Sequence, residues 1–116
     1  MHNVSSLPTF CDVELSESRA RFDRLVMSFP TLRGCPGTMP WNAGRFAAWA
    51  SGCDTRAQRN AAQFVLSVWN GSTPDDAWWC EDPLEVGRFD PVDALAYWDQ
   101  MHRAAFLRWC EDPFWP

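Results

Sequence analysis

The sequence predicts a mainly α protein: a compact, single-domain helical fold of about four helices with a Trp/Phe-rich core. Three observations predict it. Thr55-x-x-Gln58 matches a capping box, in which a hydroxyl and an amide satisfy the free N–H groups of a helix start. Asp90-Pro91 matches the N-cap and first position of a helix. Apolar residues recur at helical spacing in three separate stretches, and eight Trp and eight Phe give a chain of 116 residues enough ring area for one core.

Residues 1–14 read as a loosely ordered lead-in broken at Pro8. Ser16 or Ser18 then caps a first helix running to about Phe29, with Leu15, Phe22, Leu25, Val26 and Phe29 on one face and Pro30 as its stop. Thr31 to Pro40 holds two Gly and two Pro and reads as loop. A short second helix covers Trp41 to Ser51, presenting Phe46, Trp49 and Ala50, and Gly52 stops it.

The third helix starts at the capping box and presents Ala57, Ala61, Phe64, Val65 and Val68, ending at Asn70-Gly71. The segment Phe64–Trp69 is also rich in strand formers, so a strand is the competing expectation there. Residues 71–89 form a long connection, pinned by Trp78 and Trp79. The fourth and longest helix opens at Asp90-Pro91 with one stripe of Leu95, Trp98, His102, Ala105, Phe106 and Trp109, and Arg103 and Arg108 on its solvated side.

The string Trp-Cys-Glu-Asp-Pro occurs twice, at Trp79–Pro83 and again at Trp109–Pro113. Each copy reads as a helix stop with a Trp plug, Pro preventing continuation. Acidic residues are unfavourable at a helix C-terminus, so Glu111 and Asp112 call for an Arg or backbone N–H partner. The functional alternative is a two-part binding site of Glu81, Asp82, Glu111 and Asp112, flanked by Trp78 and Trp115, gripping arginines of a partner or a divalent ion.

All ten basic residues are Arg, and the net charge of −5 disfavours a broad phosphate-binding face. Five cysteines, with no Cys-x-x-Cys, fit neither a closed disulfide set nor a zinc site. They read as mostly buried, reduced thiols and hence as a cytoplasmic protein, with no secretory signal expected in Met1 to Phe10 and no apolar run long enough to span a membrane. No metal-ligand spacing and no cofactor motif is present.

His102 is the one histidine outside the lead-in, and Asp99 lies three residues before it, close enough to orient the ring. With Cys80 these residues can be drawn as a Cys-His-Asp nucleophile set. Cys110 is about 12 Å further along the same helix, beyond direct reach of His102. A buried histidine bonded to a carboxylate is the competing structural reading. Arg56 and Arg59 open the third helix, where they read as a solvated face or a small anion contact.

The C-terminal half carries Phe64-Val-Leu-Ser-Val-Trp-Asn70, Gly87-Arg-Phe-Asp-Pro91, Trp98-Asp99, His102-Arg-Ala-Ala-Phe106 and Asp112-Pro-Phe-Trp-Pro116. In these it resembles a group of small proteins from bacteria, their plasmids and their phages that carry no assigned activity. The resemblance implies a mobile-element accessory protein and transfers no catalytic residue. The expected function is a non-enzymatic protein-interaction module, an inhibitor or accessory factor with a protein partner. The alternatives are a small hydrolase or transferase using His102 with a cysteine, and a nucleic-acid-associated factor.

Overall fold

The computed structural model describes residues 10–71 and 87–116, with side chains from residue 17 onward. Helix α1 spans Phe10–Met27. It begins well before Ser16 and Ser18, inside the expected lead-in, because no Gly or Pro interrupts the chain between Pro8 and Pro30 and a serine only favours a cap without enforcing one. It also stops two residues short of the expected end. Pro30 excludes the residue before it from helical geometry, and Phe29 is extended (φ −93°, ψ 109°). The Arg33 Nε donates to the freed Met27 carbonyl at 2.8 Å.

Pro30–Leu32 makes one 3₁₀ turn that buries Leu32. The loop then doubles back through Gly34 and Gly37, both at positive φ. Helix α2 is Ala43–Ala50, capped by the Asn42 carboxamide accepting from the Arg45 N–H at 2.9 Å. It buries Phe46, Ala47 and Ala50.

Helix α3, Arg56–Asn70, is the central element, and Phe64–Trp69 belongs to it rather than to a strand. Thr55 caps it, accepting from the Gln58 N–H at 3.3 Å. The second half of the capping box is replaced by something else. The Gln58 amide donates to the Thr31 carbonyl at 2.9 Å, tying α3 to the 3₁₀ turn instead of to its own cap.

The expected fourth helix is two helices, α4 at Pro91–Tyr97 and α5 at Gln100–Glu111. Asp90 caps α4 as expected, accepting from Val92 and Asp93. Trp98 is extended, and Asp99 then caps α5 by accepting from the His102 N–H at 2.9 Å. An aspartate able to satisfy two free donors competes with helix continuation at that point. The break also undoes part of the expected stripe: Trp98, His102 and Ala105 are buried, Phe106 and Trp109 are half-buried, and Leu95 is exposed.

The core is aromatic, as the composition predicts, and α3 feeds two parts of it. On one side Trp41 packs against Phe22 (ring centroids 4.8 Å), Phe46 (5.0 Å) and Trp69 (5.5 Å). On the other, Phe64 meets Phe29, Phe89, Phe106 and Trp109 at 5.1–5.7 Å, three of them edge-on at 64–84°. Edge-to-face pairs contribute about 0.5–1.5 kcal/mol beyond their burial. Trp98 closes this group and satisfies its indole N–H on the Ala57 carbonyl at 3.0 Å. Asn60 is one of four buried polar side chains among the described residues, and its amide nitrogen finds no partner there.

The two loop glycines differ in what surrounds them, which gives a test. A Cβ at Gly37 would lie 2.5 Å from the Phe46 nitrogen and 2.8 Å from the Asn42 carbonyl, both backbone atoms of the α2 start. A Cβ at Gly34 meets nothing. Gly34→Ala should cost about 1 kcal/mol for its positive φ alone. Gly37→Ala should add about 1–3 kcal/mol of overpacking to that. Urea titration of both variants checks the ranking, and equal losses would show that the α2 start yields without resistance.

Candidate functional site: an Asp-His-Thr array beside an arginine-lined groove

The break between α4 and α5 sets the geometry of the first candidate site. As N-cap of α5, Asp99 faces the first turn of that helix, and His102 occupies that turn. The Asp99 Oδ1 lies 2.8 Å from His102 Nδ1 as well as 2.9 Å from the His102 backbone nitrogen. The far ring nitrogen, Nε2, lies 2.8 Å from Thr31 Oγ1. With Asp99 ionised, Nδ1 carries the proton and Nε2 of the neutral ring accepts from the threonine hydroxyl. The ring is held between Trp98, stacked at 6.1 Å and 30°, and Phe29 at 5.8 Å.

The expected pairing of Asp99 with His102 is therefore present, made by a helix cap rather than by two turns of one continuous helix. Thr31 is the member that the sequence reading missed. It lies 71 residues from His102, in a stretch that reads only as loop. Burial differs along the array: the central His102 side chain is 3% exposed and the Asp99 side chain 66%. The two hydrogen bonds from His102 hold the Asp99 carboxyl below its ordinary value, the backbone one contributing most.

No cysteine joins His102 among the described residues. Cys110 lies further along α5 and is exposed, while of the other described thiols Cys53 is buried and Cys35 half-buried; packing about the Cys110 sulfur still raises its pKa. The Cys35 thiol donates to the Thr31 carbonyl at 3.4 Å, and burial pushes its pKa up, away from thiolate character. Burial raises Cys53 in the same way, opposed in part by Arg59. Cys80 lies outside the described residues, as do Trp78, Trp79, Glu81 and Asp82 of the first repeat.

The second repeat is held by one arginine from α1. Arg21 donates to both the carboxylate and the backbone carbonyl of Asp112 at 3.2 Å, and its guanidinium lies 4.1 Å above the Phe114 ring. This is the arginine partner expected for an acidic residue at a helix end, supplied from 91 residues away. Trp109 points inward and donates its indole N–H to the Phe114 carbonyl at 3.1 Å. Trp115 packs edge-on against Trp109 and its indole lies where a Cβ at Gly71 would fall, so a side chain there would have to displace that ring, while the φ of −61° is ordinary. Glu111 is exposed and unpaired among the described residues. No group of three or more His, Cys, Asp or Glu side chains there can hold a metal.

A groove of about 470 Å³ runs between α1 and α5, one turn along from the array. Its floor is Leu25, Ala105 and Trp109, with Phe114 at one end. Arg21, Arg24 and Arg108 rise from its walls beside Glu111 and Asp112. The other two arginines singled out in the sequence are engaged elsewhere. Arg56 lies 3.7 Å from Asp93 and over the Tyr97 ring, and Arg59 donates to the Cys53 carbonyl. No helix among the described residues is long and apolar enough to cross a membrane. No protein-family model, curated protein or solved structure matches the chain.

The depressed Asp99 pKa has a consequence in acid. A carboxyl whose pKa is lower in the folded state contributes stability that is present above its unfolded value of about 3.9 and is lost as pH falls through the folded value. Asp99→Asn keeps an acceptor for the cap but removes the charge. The variant should be less stable than wild type at neutral pH, and the gap should narrow below about pH 4. Thermal melts from pH 7 to pH 2 check it; a gap constant with pH would mean that the Asp99 charge contributes nothing.

Proposed function

We propose that this chain is a non-enzymatic protein-interaction module. The observation that carries the reading is a concentration of exposed apolar side chains at the α4–α5 corner. Val92, Leu95, Tyr97 and Met101 all stand in solvent within ten residues of chain. Single exposed apolar residues are ordinary on a protein surface, but several close together on one short segment are a feature of contact surfaces. Arg56 over Tyr97 adds a residue pair of the kind that anchors interfaces. The resemblance to small plasmid and phage proteins supports a role as an inhibitor or accessory factor that acts by occupying a host or rival protein. The net charge of −5 disfavours nucleic acid as the partner.

A second reading, a small hydrolase, is favoured by the Asp99–His102–Thr31 array, whose order matches that of an activated hydroxyl. In that reading Thr31, and not a cysteine, is the nucleophile, with His102 Nε2 taking its proton. Against it, the ring is closed in by Trp98 and Phe29, and the groove is not lined by His102 or Thr31. A fluorophosphonate probe separates the readings. We expect no labelling of wild type; labelling that disappears in Thr31→Ala would establish the hydrolase.

The interaction reading is tested by the triple variant V92S/L95S/M101S. These are exposed positions, so each change should alter stability by no more than about 0.5 kcal/mol. Photo-crosslinking in the native host should yield a defined adduct with wild type that falls at least tenfold in the triple variant at equal expression and melting temperature. An adduct of unchanged yield would move the contact elsewhere, and no adduct at all would remove the reading.

A further inference from the structure

We infer that the groove between α1 and α5 binds an acidic peptide segment, one that sets carboxylates beside a large apolar side chain. The inference rests on the interaction reading only in taking the ligand to be part of a protein. The chain has 15 acidic and 10 basic residues, yet three of its ten arginines line this one concavity. Arg21 is already committed to Asp112 and Phe114. Arg24 and Arg108 are exposed and make no ion pair, side-chain hydrogen bond or ring contact with the described residues. Both lie in the last turn of their helices, where a positive charge is favoured by the helix dipole. The dipole accounts for arginines on those turns. It does not account for an apolar floor of Leu25, Ala105 and Trp109 between them.

That floor decides the ligand class. A free inorganic anion would use the guanidinium groups and leave the floor wet. A peptide carboxylate flanked by Leu or Phe uses both, because each arginine can pair with a carboxylate through two parallel N–H donors while the apolar side chain covers the indole of Trp109. The groove volume lies within the roughly 300–1,000 Å³ typical of small-ligand sites, which suits one such side chain with its neighbours.

The test uses the full chain and a fluorescein-labelled nonapeptide of alternating Asp/Glu and Leu/Phe, with its Asn/Gln counterpart and a labelled oligo-dT as comparisons. Anisotropy should saturate with the acidic peptide and show at least tenfold weaker binding of the amide peptide. Binding should fall at least tenfold in R24E/R108E and stay unchanged in R45E, which reverses an exposed arginine on α2. It should also stay unchanged in V92S/L95S/M101S, so the groove and the α4–α5 surface fail or succeed separately. Equal binding of the amide peptide, insensitivity to R24E/R108E, no saturation, or preference for oligo-dT each overturns the inference.

Discussion

The fold depends on α3 burying more than one face. Asn60, Ala61, Ala62, Phe64, Val65, Leu66, Val68 and Asn70 are all buried, which is more than one stripe of a 15-residue helix. A helix buried on more than one side needs neighbours on more than one side, and the other elements are arranged by what they contribute there. Phe64 draws in the 3₁₀ turn through Phe29 and the C-terminal helices through Phe106 and Trp109. Trp69 does the same for α1 and the α2 approach through Phe22 and Trp41. Directional bonds then fix positions that ring packing leaves loose: Gln58 to Thr31 at one end of α3, and Trp98 to Ala57 beside it.

How much of this was legible in the sequence follows from the range of each interaction. The starts of α3 and α4 were readable because a cap and the helix that it starts lie within three residues of each other, as with Thr55 and Gln58 or Asp90 and Asp93, whereas the Asn42 cap of α2 was passed over and that helix was expected from Trp41. The periodic apolar faces were readable for the same reason. The break at Trp98 was not, since Leu95, Trp98, His102, Ala105 and Trp109 fit one unbroken stripe as well as two shorter ones. A signal was present in Asp99 and His102: an aspartate three residues before a histidine can serve a helix start as well as a helix interior. Thr31 and Arg21 were beyond reach. Their partners lie 71 and 91 residues away, and nothing local marks a loop threonine or a helix-face arginine as half of a pair.

The second Trp-Cys-Glu-Asp-Pro string shows one motif dividing its labour. Trp109 serves the core, and Asp112 serves the docking of the C-terminal tail onto α1 through Arg21. Cys110 and Glu111 between them face solvent. The Arg21–Asp112 pair is itself exposed, with the carboxylate side chain 85% accessible, so its electrostatic contribution to stability is small. Its effect is positional. By placing Asp112 and Phe114 against α1 it closes one end of the groove and leaves Arg24 and Arg108 as the cations that face the open part.

That division separates the residues that the fold needs from those that it does not. His102 is held on both ring nitrogens and covered by two aromatic rings, and so joins α5 to the 3₁₀ turn. Arg56 and Arg59 are spent on joining α3 to α4 and to the α2–α3 connection. Arg24 and Arg108 join nothing among the described residues, and an unpaired surface cation contributes little to folding free energy. Reversing their charge loses the favourable helix-end interaction but removes no contact of the core. A change in binding on that substitution reports recognition directly, free of the loss of structure that would accompany any substitution at Asp99, His102 or Thr31.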